Sequence, residues 1–225
     1  METAARARRY DDWRIAGWAA IVSFLVVLGY ASRLQGGDPP QDALYRYETA
    51  VAGIVIYLAL LGVLLLVVRG LPKREVLALR PPPSWPGALG LALAAYVGIF
   101  VGAGLLLVAL DAGDEQGLTP EEWDSSRAGG YAANFVAVAL VGPVVEELLY
   151  RGAGMTLLAR FGAPVAVLVT AIGFGLGHGL VLALAALVFF GLVTAGLRLK
   201  TDSVYPCILV HCAFNATSLV VAVAA

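Results

Sequence analysis

The stretch TAVAGIVIYLALLGVLLLVV, Thr49–Val68, runs for twenty residues without a charge. A helix needs about 20 apolar residues to cross a hydrocarbon layer of roughly 30 Å. Read as one such crossing, this stretch is the template for the rest of the chain. Working outward, six further segments read the same way: Ile15–Ala31, Pro86–Leu110, Ala132–Tyr150, Pro164–His178, Leu180–Leu197 and Val204–Val223. The expected fold is therefore all-α, a polytopic membrane bundle of about seven helices. Nothing between Arg151 and Ala159 breaks a helix outright, so the fourth span is free to run on to about Arg160. Only Gly179 separates the fifth span from the sixth, which fits either a tight hairpin or one bent element.

Composition agrees with that reading. The chain has 225 residues, 60% hydrophobic and only 14% charged, with a mean hydropathy of +0.84. Soluble domains are nearer half apolar and a quarter charged. The net charge of −1 offers no basic face to neutralise phosphates, so a nucleic-acid partner is not expected. Lysine occurs only at 73 and 200, and the alanine-, glycine- and arginine-rich usage suggests a prokaryotic source. The two cysteines, Cys207 and Cys212, share one apolar run and read as small buried hydrophobes. The arginines before Ile15 resemble the start of a signal peptide, but the apolar stretch is long and no A-x-A site follows, so it reads as a retained first span.

Cytoplasmic loops carry the excess of Lys and Arg. With the N-terminus inside, twelve of these residues fall in inner segments and three (Arg33, Arg46 and Arg127) in outer ones. The expected topology is N-terminus in, C-terminus out, in a cell membrane. Two connections have character. Leu71–Trp85 is basic and then proline-rich, with a candidate interfacial helix over Lys73–Leu79. Asp111–Arg127 is acidic. Both are expected to be solvated. No internal repeat is evident, and the broken, paired helices of a transporter are missing. The natural division is 1–128, three spans without a motif, and 129–225, a four-span motif-bearing core.

The informative residues are polar ones inside these spans. An ionised side chain there costs roughly 2.5–3.5 kcal/mol on insertion scales, so a sequence keeps it when it has a cavity or a partner. In Gly142-Pro143-Val144-Val145-Glu146-Glu147-Leu148-Leu149-Tyr150-Arg151, Glu147 and Arg151 lie four apart and share a helix face, so they are expected to pair. Glu146 lies about a quarter-turn round and has no such mate. Pro143 cannot donate to the Ala139 carbonyl, so a kink is expected just before the glutamates. Phe174 and His178 share a face within a glycine-rich segment, and His211 and Asn215 share one in the last span. The chain's two histidines both fall in these segments. A carboxylate, two imidazoles and a carboxamide suffice to activate a water and stabilise an oxyanion.

These segments read, in order, E-E-x-x-x-R, F-x-x-x-H and H-x-x-x-N. The set resembles the CPBP family: type II CAAX prenyl-protein endopeptidases and bacteriocin-processing proteins, also called the ABI family. The likeness covers roughly Pro143–Asn215. It implies a membrane-embedded helical protease that hydrolyses peptides through a glutamate and needs no metal cofactor. Carried over, it makes Glu146 the general base, His178 its partner on the water, and His211 with Asn215 the oxyanion hole. Glu147 and Arg151 position the site, and Phe174 packs it. The implied partners are the lipid bilayer and a membrane-anchored peptide or protein. Three readings compete. A zinc peptidase would use Glu146, His178 and His211 as ligands, although they lack H-E-x-x-H spacing. A non-enzymatic scaffold or bacteriocin self-immunity protein of the same family would use none of them for chemistry. A chaperone for a sensor kinase would likewise need no chemistry from them. One misfit is expected: a straight fifth span would carry His178 toward the face opposite Glu146.

Overall fold

The computed structural model describes residues 10–35, 40–113, 115 and 123–224. Arg6, Arg8 and Arg9, counted for orientation above, lie outside these residues, as do Asp114, Glu121 and Glu122 of the acidic connection.

Every described regular element is helical, as hydrocarbon demands: with no water to satisfy backbone polar groups, the chain must satisfy them within each helix. The long elements are α1 (Asp12–Gln35), α2 (Tyr47–Val67), α3 (Trp85–Ala109), α4 (Ser125–Phe161), α5 (Ala163–Gly177), α6 (Leu184–Thr201) and α7 (Tyr205–Ala224). All but α5 are long and apolar enough to cross a membrane; α5 has 15 residues and is shorter. The outer surface is apolar too. Phe24, Val55, Ile56, Leu93, Leu105 and Val108 are exposed, as on a surface that meets lipid. The inward face of α3 is instead small or close-packed, with Ala88, Ala92, Ile99 and Ala103 buried. Small side chains let membrane helices approach closely.

α4 is the central element. Half of its most apolar window is buried, against 17% for α1, α2 and α3. It continues past Tyr150 to Phe161, as the absence of breakers allows, until Gly162 at φ 96° ends it. It is not a plain α-helix. π-helical turns span Ala137–Val141 and Leu148–Gly154, with ordinary α-helix over Gly142–Glu147 between them. The first π turn leads directly into Gly142-Pro143. A widened turn is one way for a helix to accommodate a proline that has lost its hydrogen bond. Asn134, buried in the first part of α4, donates to the carbonyls of Leu44 and Arg46 and so ties α4 to the segment entering α2.

The core draws on both halves of the chain: Trp18 from α1, Leu64 from α2, Ile99 from α3, Leu149 and Leu157 from α4, Phe174 from α5, Phe190 from α6 and Val210 from α7. α6 packs against α5 and α3. Gly191 permits the first of these contacts, since a Cβ there would lie 2.8 Å from the Ala171 backbone.

The connections differ from expectation. The helix in the basic segment covers only Lys73–Val76, and the segment is not simply solvated: Val76, Leu77 and Ala78 are buried. Gly152 of α4 leaves room for the Leu77 backbone, and the Ala78 carbonyl accepts from Val204 N at 3.1 Å. Three successive apolar residues bury themselves where a groove exists, and a polar flanking sequence conceals that. In the acidic segment, Glu115 accepts hydrogen bonds from Val181 N (2.6 Å) and Ala183 N (2.7 Å). It thereby anchors the connection between α5 and α6. That connection is longer than Gly179 alone, because α6 begins only at Leu184.

Candidate active site

The site is built around α4. Gly142 has no side chain, and a Cβ there would lie 2.7 Å from the Tyr57 ring of α2. This close approach lets the Tyr57 hydroxyl donate to Glu146 Oε1 at 3.1 Å. Glu146 is partly exposed, at 17% of its side chain, and its Oε2 lies 3.8 Å from His211 Nε2 of α7. Glu147, one residue on, is wholly buried. Its Oε1 accepts from Arg151 Nη1 at 3.0 Å and from His211 Nδ1 at 2.9 Å.

The two adjacent glutamates are therefore distinct. Glu147 is one member of a buried ion pair, and both its own and the Arg151 side chain are at 0% exposure. Such a pair holds because neither charge has water to fall back on. Arg151 also donates to the Gly191 carbonyl at 3.3 Å and lies 4.6 Å above the Phe174 ring. Glu146 has no cationic mate on α4 and keeps access to solvent-sized species.

His211 faces both carboxylates. Since the Glu147 carboxylate accepts, His211 Nδ1 carries the hydrogen there, which turns Nε2 toward Glu146. His178 sits just past α5, half-buried, with Nδ1 2.8 Å from the Phe174 carbonyl. A carbonyl only accepts, so Nδ1 donates and Nε2 of the neutral ring keeps its lone pair. Phe174 stands between the two imidazoles, with ring centroids 4.7 Å from His178 and 5.7 Å from His211. Asn215, one turn beyond His211, donates from Nδ2 to the Val138 carbonyl at 2.9 Å, within the first π turn of α4. Among the described residues its second amide hydrogen has no partner.

Glu146, Glu147, Arg151 and His211 thus share one polar network, while Phe174 links His178 to it by ring contact and Asn215 borders it. His178 has no hydrogen bond to Glu146. α5 is about 22 Å long, shorter than a hydrocarbon layer of roughly 30 Å, so its end at His178 need not lie at the face opposite Glu146. Tyr57 has no counterpart in the motif reading. The available signal was slight: it is the one hydrogen-bonding side chain between Thr49 and Arg69. Among the described residues no three His, Cys, Asp or Glu side chains are grouped to hold a metal ion. The set Glu146, His178 and His211 that a zinc site would need is therefore not such a group.

Residues 128–217 match the family model described as type II CAAX prenyl endopeptidase Rce1-like. This segment is an Rce1-like domain. No curated protein and no solved structure matches the chain. The Rce1-like domain spans α4 to most of α7 and holds all seven motif residues, from Glu146 to Asn215, while Tyr57 lies outside it. The Rce1-like family is one of intramembrane proteases, which supports a membrane-protease function for a chain whose helices are long and apolar enough to cross a bilayer.

Proposed function

We propose that this protein is a glutamate-dependent intramembrane endopeptidase in which Glu146 activates the attacking water. The observation that carries the proposal is the separation of the paired glutamates into a buried Glu147 matched by Arg151 and a partly exposed Glu146 with no cationic mate on its own helix. The Glu146 carboxylate takes a proton from water as the oxygen attacks the peptide carbonyl carbon. His178 Nε2, an acceptor, holds the other water hydrogen. The carbonyl oxygen becomes an oxyanion. It is met by an Asn215 amide hydrogen and by His211 Nε2, which donates when that nitrogen also carries a hydrogen, while Glu147 holds the ring through Nδ1. When the tetrahedral species collapses, the C–N bond breaks and Glu146 returns its proton to the leaving nitrogen.

The substrate class is a membrane-anchored peptide or protein. A prenylated C-terminal peptide is the form named in the family description. For a prokaryotic chain, other membrane-associated precursors are the better candidates. In this reading the protein is a multi-pass component of the cell membrane with its N-terminus in the cytoplasm, on the twelve-to-three distribution of Lys and Arg. No metal takes part.

The test is comparative membrane proteomics of the wild-type strain against a Glu146→Gln strain, followed by cleavage of any accumulated precursor with purified protein. A precursor should accumulate uncut. Its cleavage should fall by about 10²–10⁴-fold in the purified variant and persist in the wild type after chelation. Wild-type cleavage by Glu146→Gln would sink the proposal. Loss of activity with a chelator and its return with zinc would replace it with a metal mechanism.

A further inference from the structure

We infer that Tyr57 is a positioning residue for Glu146, contributed by the half of the chain that lies outside the Rce1-like domain. The inference rests on the reading of Glu146 as the base. Three observations meet at this contact. First, the Tyr57 hydroxyl donates to Glu146 Oε1 at 3.1 Å across 89 residues of sequence. Second, the approach depends on Gly142: a methyl group there would stand 2.7 Å from the Tyr57 ring and 2.8 Å from its oxygen. Third, Tyr57 is the one polar side chain over residues 50–67 of α2, with Val55, Ile56 and Leu58 exposed around it. A phenol in hydrocarbon needs a partner, and here the partner is the catalytic carboxylate.

The geometry divides the two oxygens of Glu146. Oε1 is held by Tyr57, while Oε2 is turned toward His211 Nε2 at 3.8 Å. A glutamate has three rotatable bonds before its carboxylate. With one oxygen fixed, the other presents its lone pairs in a single direction, where a water held by His178 can deliver its proton. Tyr57 neither gives nor takes a proton in the reaction. It removes the rotational freedom that the base would otherwise have to lose at each turnover.

The test compares wild type, Tyr57→Phe, Gly142→Ala and Glu146→Gln in lipid nanodiscs. Tyr57→Phe removes only an oxygen, whereas Gly142→Ala keeps the hydroxyl but displaces it. The carboxylate stretch of Glu146 is isolated as the infrared difference between wild type and Glu146→Gln. Turnover is measured on the precursor peptide that accumulates in Glu146→Gln membranes. Both variants at 57 and 142 should shift the Glu146 band. Tyr57→Phe should lower kcat about ten- to a hundredfold with KM unchanged, the effect of losing one hydrogen bond to a charged group. An inactive Glu146→Gln with an unshifted band or a wild-type kcat in Tyr57→Phe would overturn the role of Tyr57 alone. Cleavage by Glu146→Gln would overturn the base assignment and this inference with it. A residue that merely packs would leave the band in place.

Discussion

Glu147 accepts both of its hydrogen bonds on one oxygen, from Arg151 and His211, and has no exposed surface. Replacing it with alanine strands a fully buried guanidinium. Breaking one side of a buried pair typically costs about 3–5 kcal/mol. Glu147→Ala should therefore lower the melting temperature sharply in detergent or fail to accumulate. Glu146→Gln is expected to melt close to wild type while losing cleavage, because that side chain is partly exposed and has no ion pair on its own helix. Melting curves on the two purified variants separate the roles without a substrate. Asn215→Ala belongs to the same scale: on the proposed mechanism it removes one oxyanion donor and should lower kcat about 10²–10³-fold, read from single-turnover cleavage. The pairing of Glu147 with Arg151 was legible from spacing alone because both partners lie within one helical turn. The bond from His211 to Glu147 was not, since its ends lie 64 residues apart.

At the scale of elements, the contact between α5 and α6 depends on the absence of side chains. A Cβ at Gly191 would press on the Ala171 backbone, and one at Gly175 would lie 2.7 Å from Val188. Gly191→Val should force the helices apart, costing about 1–3 kcal/mol as overpacking generally does. It should also lengthen the bond from Arg151 to the Gly191 carbonyl. Thermal unfolding and cleavage should fall together in this variant. The connection between the two helices has its own control. Burial alone would push the Glu115 carboxyl up, but hydrogen bonds from the Ala183, Val181 and Leu182 amides, with Arg33 nearby, outweigh it and hold the group below its ordinary 4.5. A depressed folded value means the anchor is fully present above the unfolded value and is lost as pH falls through the lowered one. Protection of the Val181 and Ala183 amides, corrected for intrinsic exchange, should therefore be high at neutral pH and be lost only on the acid side of the ordinary carboxyl value of 4.5. Glu115→Gln should remove that dependence. The acidic composition of this segment was visible in the sequence. Its target was not, because a carboxylate that satisfies backbone amides leaves no mark on their side chains.

On the scale of the whole molecule, the Rce1-like domain does not carry a complete core. Trp18 donates to the Leu149 carbonyl at 3.0 Å, and Leu64 and Ile99 are fully buried against the same cluster. A chain starting at residue 128 would expose that face to lipid and lose the Tyr57 contact. Such a truncation should elute as a broad, polydisperse peak and melt without a cooperative transition, where the full chain gives a single peak and a sharp one. Size-exclusion chromatography with scanning fluorimetry decides this.

By itself, the sequence determined the all-helical membrane class, the apolar segments, the pairing of Glu147 with Arg151 and the identity of the polar residues worth watching. Each depends on composition or on neighbours within a turn of helix. Only the tertiary structure decided which face of α2 turns inward, that α5 stops short enough to leave His178 near the site, that Val76–Ala78 dock against α4, and that His211 bridges both glutamates. The physical reason is the solvent. In water, the polar face of a helix announces which side is buried. In a bilayer, lipid and protein interior are equally apolar, so a helix such as α2 carries no stripe to read. Its orientation is set by contacts such as the close approach of Gly142 to Tyr57 and the burial of Leu64 and Val67, made between residues far apart in the chain.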